Sequence, residues 1–469
     1  MRLKNNALFR AFGFFLAALA AFSAPAARAD TVLTPAIAVG STPVGVAING
    51  HYAYVANSAT VSVIDTTTNT VVSTITVGGT PRFVMVTPDG NYVYVASVDG
   101  TVSVIDTTLA LTTPASAVIA TIPTSNPTPT YFMAATPDGQ YVYVPNNTNG
   151  IRVIATPSNT NTAIRNTVVS TLALGGAIMG VAITQDGQYA YAVGTADNVV
   201  RVIDTALALT DPANAVTDRI TAGATSNYSV VLTPDGQYAY VTNYGDNTVS
   251  VIAIATNTVV ATIPTGASPF AVAFSGQYAY VTNQGDGTVT VIDTALALTD
   301  PTLAVVDTIA VGSAPDGVAI TPDGQFAYVA NSGDGTVTVI ALASLSSLPD
   351  HGNVNAAYSG TVTVSDAAAG VSTFSITAGS LPPGLTLDPA TGQITGTPTA
   401  TGTYAFTVSA DSAVRGLTQT GVTRDYTIVI DAALPVAAAG VPTLGQWALA
   451  LLALLLASGA ALTLRRKLA

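Results

Sequence analysis

An all-β chain built around a ring of seven four-stranded blades is what this sequence predicts, on three observations. One pattern recurs seven times between Ser41 and Ile340: an apolar run, a turn, an aromatic-Val strand, a second turn and a Val-x-Val-Ile strand. The aromatic that marks each repeat stands at Tyr54, Tyr94, Tyr143, Tyr191, Tyr240, Tyr280 and Tyr328, a spacing of roughly 40 to 49 residues, which suits a propeller blade. The alternating Val, Thr and Tyr segments then explain a hydrophobic content of 49% and a mean hydropathy of +0.49 as strand core, leaving only the two termini continuously apolar. At 469 residues the chain also exceeds one ordinary core and calls for two or three domains.

In chain order, residues 1–29 carry a basic start, an apolar stretch from Ala11 to Phe22, and the triplet Ala27-Arg28-Ala29, the build of a secretory signal peptide. The mature chain is therefore expected to begin at Asp30. The propeller follows over 30–349, and its fifth repeat serves as template. There, Tyr228 to Leu232 reads as the innermost strand, Pro234-Asp235-Gly236 as a turn, and Gln237 to Asn243, Thr248 to Ala253 and Thr258 to Pro264 as the remaining strands. Asp99-Gly100, Asp286-Gly287 and Asp334-Gly335 sit between second and third strands, where a tight hairpin needs positive φ. The seventh repeat breaks off after Thr336 to Ile340, one strand short. Ile37-Ala38-Val39-Gly40 matches the outer-strand ending Ile309-Ala310-Val311-Gly312 residue for residue, so residues 30–40 are expected to complete the last blade and leave no open sheet edge.

Charge and residue inventory exclude several functions. Every acid is aspartate, and seven of the 14 basic residues lie in the terminal segments. Between Asp30 and Leu464 there remain 26 Asp against seven Arg and no lysine, a formal balance of −19 that repels nucleic acid. Cysteine is absent, so neither disulfides nor thiolate metal sites are available. The two histidines, His51 and His351, read as turn and linker residues, and the aspartates Asp65, Asp106, Asp204 and Asp293 read as caps on the turn after the third strand, since an acid needed in several blades serves the blade. No cofactor or metal is expected. The lone tryptophan, Trp447, lies outside the ring, which speaks against quinoprotein chemistry.

If the ring binds a ligand, the expected address is the mouth of the central channel, where the loops entering the innermost strands converge. Val44, Arg82, Tyr131, Met179, Tyr228, Phe270 and Asp316 are equivalent there, and they vary while neighbouring positions repeat. A mixture of aromatic, Arg and Asp side chains suits a sugar or peptide. The second, third, fourth and sixth blades carry longer links after their third strands, for example Ala206 to Val216 and Ala295 to Val305, expected to project from the opposite face as a candidate partner surface.

Family resemblances extend this reading. The repeats resemble the YVTN family of seven-bladed propellers, literally at Tyr240-Val241-Thr242-Asn243 and Tyr280-Val281-Thr282-Asn283, with Pro-Asp-Gly turns at Pro88, Pro137, Pro234 and Pro322. That family includes bacterial surface and periplasmic proteins, and related propellers occur as lactonases and dehydrogenases, so the resemblance leaves activity open. Residues 350–431, with Leu381-Pro382-Pro383-Gly384-Leu385 and Gly396-Thr397-Pro398, resemble the He_PIG-type Ig-like domains of bacterial surface proteins, which implies a β-sandwich spacer. Residues 432–440, rich in Ala, Gly and Pro, read as a linker. Residues 441–469 combine Val441, Pro442, Thr443, Leu444 and Trp447, an apolar run over 447–464 and the cluster Arg465, Arg466, Lys467. This order resembles the IPTL-CTERM sorting signal, with Val441 for the usual Ile and Ala448 for the usual Gly. The resemblance implies a transmembrane helix, recognition by an exosortase-type transpeptidase or protease, and display at the cell surface or in extracellular matrix; a plain tail anchor is the alternative.

The sequence thus predicts an exported, membrane-anchored and then surface-sorted, non-enzymatic protein that binds an extracellular glycan or protein through Arg82, Tyr131, Met179, Tyr228, Phe270 and Asp316. The alternative is a propeller hydrolase or lactonase at the same mouth, with Arg82 holding an anion and Asp316 acting as base.

Overall fold

A computed structural model describes residues 30–124, 131–146, 148, 150–343, 345, 348–364, 372–414, 417–418 and 422–432. Residues 1–29, expected to be a signal peptide, the apolar run 447–464 and the sorting residues Val441, Pro442, Thr443, Leu444, Trp447, Arg465, Arg466 and Lys467 lie outside the described residues. Among the described residues no helix is long and apolar enough to cross a membrane.

Seven four-stranded antiparallel sheets form the ring, six of them ordered from innermost to outermost strand as the chain runs. In the fifth blade the strands are Asn227–Leu232, Tyr238–Asn243, Thr248–Ala253 and Thr258–Pro264, close to the sequence expectation. The seventh blade takes its outer strand, Thr31–Ala38, from the start of the chain. This strand pairs with Thr336–Ala341, setting Leu33 opposite Val339 and Ile37 opposite Val337 across a bulge. Asp30 fastens the seam, accepting from Tyr280 Oη at 2.9 Å and from the Ala343 amide at 2.7 Å.

The middle strands are buried on both faces because each blade packs between two others, which is why they are written in Val, Ala and Tyr. The seven marker tyrosines are buried, and several reach the next blade: Tyr143 Oη donates to the Thr205 carbonyl at 3.4 Å, Tyr191 Oη to Asn257 Oδ1 at 2.6 Å, and Tyr328 Oη to the Thr66 carbonyl at 3.3 Å. Burial pushes the phenols of Tyr54, Tyr191 and Tyr328 up to about 12, so they remain neutral donors. The asparagine ending the second strand locks it to the third. Asn243 Nδ2 reaches Ser250 Oγ at 2.9 Å, Asn283 Nδ2 reaches Thr290 Oγ1 at 2.8 Å, and Asn331 Nδ2 reaches Thr338 Oγ1 at 2.8 Å. Three blades depart from this rule: blade two ends its second strand in Ser97, blade three buries Arg152 at the hydroxyl position, and blade four changes both places. Gly194 stands where the asparagine would be, and Arg201 is buried at the hydroxyl position, paired with Asp197 and donating to the Leu174 carbonyl.

The long links correct the expectation of projecting loops. Three of them form single short helices, α1 (Thr107–Thr112), α2 (Thr205–Thr210) and α3 (Thr294–Thr299), each N-capped by the aspartate that ends the third strand: Asp106, Asp204 and Asp293. Alanines 110, 208 and 297 are fully buried, so each helix sits against the outer strand of the preceding blade. Ser73 Oγ donates to the Ala110 carbonyl at 2.7 Å and Ser170 Oγ to that of Ala208. The link of the third blade makes only a 3-10 turn, Thr162–Ile164. Asp65, in a blade with a short link, accepts from the Thr67 amide at 2.8 Å and caps a turn instead.

The second module stacks two sheets. Tyr358–Thr361, Gln393–Gly396 and Leu385–Leu387 form one; His351–Asn353, Val422–Asp431, Gly402–Val414 and Ser372–Gly379 lie in the other. Tyr358, Phe374, Ile394, Phe406, Tyr426 and Ile428 fill the space between them, the core of an Ig-like sandwich.

Candidate functional site

The innermost strands converge on the axis closely enough for neighbouring backbones to bond. The Gly317 amide donates to the Val44 carbonyl at 2.8 Å, and a Cβ on Gly317 would stand 2.6 Å from that oxygen, so glycine is required there. Of the seven equivalent residues, Val44, Met179, Phe270 and Asp316 are buried, whereas Arg82, Tyr131 and Tyr228 keep part of their surface in solvent.

Aromatic rings close the axis. Phe132 lies 5.1 Å from Phe83 and 5.5 Å from Phe270, linking the second, third and sixth blades across the ring. Tyr131 meets Phe270 edge-on at 5.8 Å, Tyr228 lies 5.4 Å from Phe270, and Tyr244 stacks on Tyr228 at 4.5 Å. The expected mouth is thus a dish with an aromatic floor. Tyr131, Tyr228, Phe270, Arg82 and Asp316 come together around it. Val44 and Met179 bring no polar side chain; His51 is an exposed turn residue as expected, whereas His351, also exposed, is no linker residue but begins the strand His351–Asn353 of the second module.

A short polar chain runs to Asp316. Tyr244 Oη donates to Gln284 Oε1 at 2.7 Å, and Gln284 Nε2 donates to the Asp316 carboxyl. Burial pushes the Asp316 carboxyl up to about 6, against the opposing pull of Gln284, Ser332 and Arg82. Burial likewise raises the Tyr131 phenol; Arg82 opposes that shift, while Asp316 and Tyr244 add to it. These four groups therefore sense one another across the dish. Arg82 Nε is buried without a hydrogen-bond partner among the described residues. The arrangement offers faces for stacking, a cation with an unused donor, and a carboxyl that titrates near neutrality. Among the described residues no three His, Cys, Asp or Glu side chains gather as metal ligands.

Sequence reasoning missed Tyr244, Gln284 and Ser332. Each follows the asparagine that ends a second strand, and across the repeats that position reads Ser58, Val98, Asn147, Thr195, Tyr244, Gln284 and Ser332. It varies as freely as the Arg82 position, and that is the signal that would have found it.

Comparison with known proteins now places the ring. Residues 37–296, more than half of the chain, match the profile of the Lactonase family, described as a 7-bladed beta-propeller. The chain belongs to the Lactonase family. In this lactonase-family propeller, residues 339–431 match the He_PIG Ig domain and residues 439–466 the IPTL-CTERM motif. The motif marks an exported, surface-directed protein and implies processing by an exosortase-type system. No curated protein matches the chain. Among solved structures, Kuenenia stuttgartiensis hydrazine synthase is similar at 24% identity with a TM-score of 0.55, over 64% of this chain and 95% of that one; the likeness concerns the fold alone.

Proposed function

We propose that this lactonase-family propeller is a surface-displayed binding protein whose axial dish receives an extracellular glycan or peptide. The observation that carries the reading is the half-buried set Tyr131, Tyr228 and Tyr244 beside Arg82, whose Nε has no hydrogen-bond partner among the described residues. Tyrosine faces stack on the apolar faces of sugars or on peptide side chains, and a guanidinium with a spare donor takes a carboxylate such as that of an acidic sugar. Behind the ring, the Ig-like module serves as spacer and the C-terminal motif as the address for an exosortase-type enzyme. Titrating the full chain against a glycan and peptide array tests this: a ligand lost on both Arg82→Ala and Tyr131→Ala, with melting unchanged, supports it, and a ligand indifferent to both variants overturns it.

A second reading rests on Asp316. A carboxyl titrating near 6 and coupled to Arg82 is suited to a lactone hydrolase. Ionised Asp316 would take a proton from water as the hydroxide adds to the lactone carbonyl. The ring C–O bond would then break, the proton on Asp316 would pass to the departing alkoxide, and the new carboxylic acid would release its remaining proton to water, leaving a carboxylate for Arg82 to hold. Turnover on a lactone panel that disappears in Asp316→Asn with the fold intact favours this reading; no turnover in either form leaves binding.

A further inference from the structure

The grooves between neighbouring blades, on the side of the Pro-Asp-Gly turns, are not equivalent. Between blades three and four, and between five and six, α2 and α3 stand in the groove, with Leu209 and Leu298 on its lining, and leave spaces of about 310 and 300 Å³. Between blades four and five the link runs straight from Ala253 to Thr258 without a helix, and the groove measures about 610 Å³.

At one register position the outer strand facing five of the grooves changes with its occupant; the other two, before blades three and one, carry Ala120 opposite Val104 and Leu33 opposite Val339. Opposite Val63 and Val153 stand Ser73 and Ser170, whose hydroxyls hold α1 and α2, and opposite Val251 stands Ala261, in one core cluster with Ala297 of α3. Small residues thus accompany a helix. The same register position in blade four, opposite Val202, is Asp218, and in blade six, before another blade without a helix, it is Asp307. Asp218 is exposed on the open groove together with Asp186 and Asp235, with the exposed ring of Tyr189 alongside. It is held in place by Asn257, whose Nδ2 donates to Asp218 Oδ2 at 3.1 Å while its Oδ1 accepts from Tyr191.

We propose that the groove between blades four and five is a docking site for a basic partner, a short peptide segment seated where α2 and α3 sit in the neighbouring grooves and carrying lysine or arginine against Asp186, Asp218 and Asp235. The chain's own helices show that a six-residue segment with a leucine fits such a groove. Charge decides the rest: no lysine or arginine is among the described lining residues, and none of the 26 aspartates has a lysine to meet between Asp30 and Leu464. The site is distinct from the axial dish and independent of what the dish binds.

The test uses the full chain and a labelled peptide of sequence Thr205–Thr210 in which lysine replaces Ala206, followed by fluorescence anisotropy at low salt. Saturable binding is expected, weakened about tenfold or more by Asp218→Ser or by acetylating the lysine. Asp218→Ser installs the residue that blades one and three already use, and a melting curve verifies the fold. Absence of saturable binding overturns the proposal. So does equal affinity of the acetylated peptide, which would leave shape alone, or loss with Asp307→Ser while Asp218→Ser is silent, which would move the site to another groove.

Discussion

The body of each blade and the end that meets the axis are built from the same strands yet obey different rules. In the body, Tyr240, Tyr280 and Tyr328 are interchangeable, as are Asn243, Asn283 and Asn331, because each performs the same local task of reaching a neighbouring blade or locking two strands. At the axis, Arg82, Tyr131, Tyr228, Phe270 and Asp316 occupy equivalent places with different chemistry, and they meet one another across the ring rather than within their own blades. Repetition therefore marks what one blade needs, and its loss marks what the assembled ring can use.

That contrast can be broken first at the seam. Deleting residues 30–38 removes the outer strand of blade seven and the Asp30 clasp together; the expected result is loss of the single cooperative melt and a destabilisation beyond about 4 kcal/mol, read by calorimetry and by self-association on gel filtration. The next largest effect belongs to the axis. Because the folded Asp316 carboxyl titrates at about 6, above its unfolded value, the folded state holds the proton more tightly. Its contribution to stability is full below about pH 4 and declines as pH rises to about 6. Asp316→Asn should therefore match the parent at pH 4 and exceed it by on the order of 2–3 kcal/mol at pH 7 in denaturant titrations. A body residue should show no such pH dependence: Asn283→Ala, which loses bonds to Thr288 and Thr290, should cost about 2 kcal/mol at both pH values. Smallest is the cap. Asp106→Ala, which frees the Thr108 and Leu109 amides at the start of α1, should cost about 1 kcal/mol and leave the ring closed, measurable as a small shift in the thermal midpoint.

The ring was legible in the sequence because its determinants are periodic. The marker tyrosines gave the beat, and the identity of Ile37 to Gly40 with Ile309 to Gly312 gave the seam before any strand had been placed. The helices were not legible, since Thr205–Thr210 is less than two turns long and shows no period of its own; what holds it is Ser170, a residue of another blade. Arg201 was equally hidden. An arginine within an alternating strand reads as solvent-facing, yet Arg201 is buried and paired with Asp197, and Arg152 is buried at the same place in blade three. At the site, the variable row from Val44 to Asp316 and its convergence on one mouth were visible, but the chain of hydrogen bonds running to Asp316 was not, because its members belong to different blades and share no local pattern. Gln284 and Tyr244 escaped for the same reason.

The origin of the closing strand has a consequence in time. Thr31–Ala38 is made before every other strand of the ring, yet its partner Thr336–Ala341 is delivered some three hundred residues later. Until then blade one has no neighbour on one side, and the early strand waits with its hydrogen-bonding groups unmatched. A chain that stops anywhere before Ala341 is thus an open arc that can join edges with another arc, and only the arrival of the seventh sheet converts it into a self-contained particle.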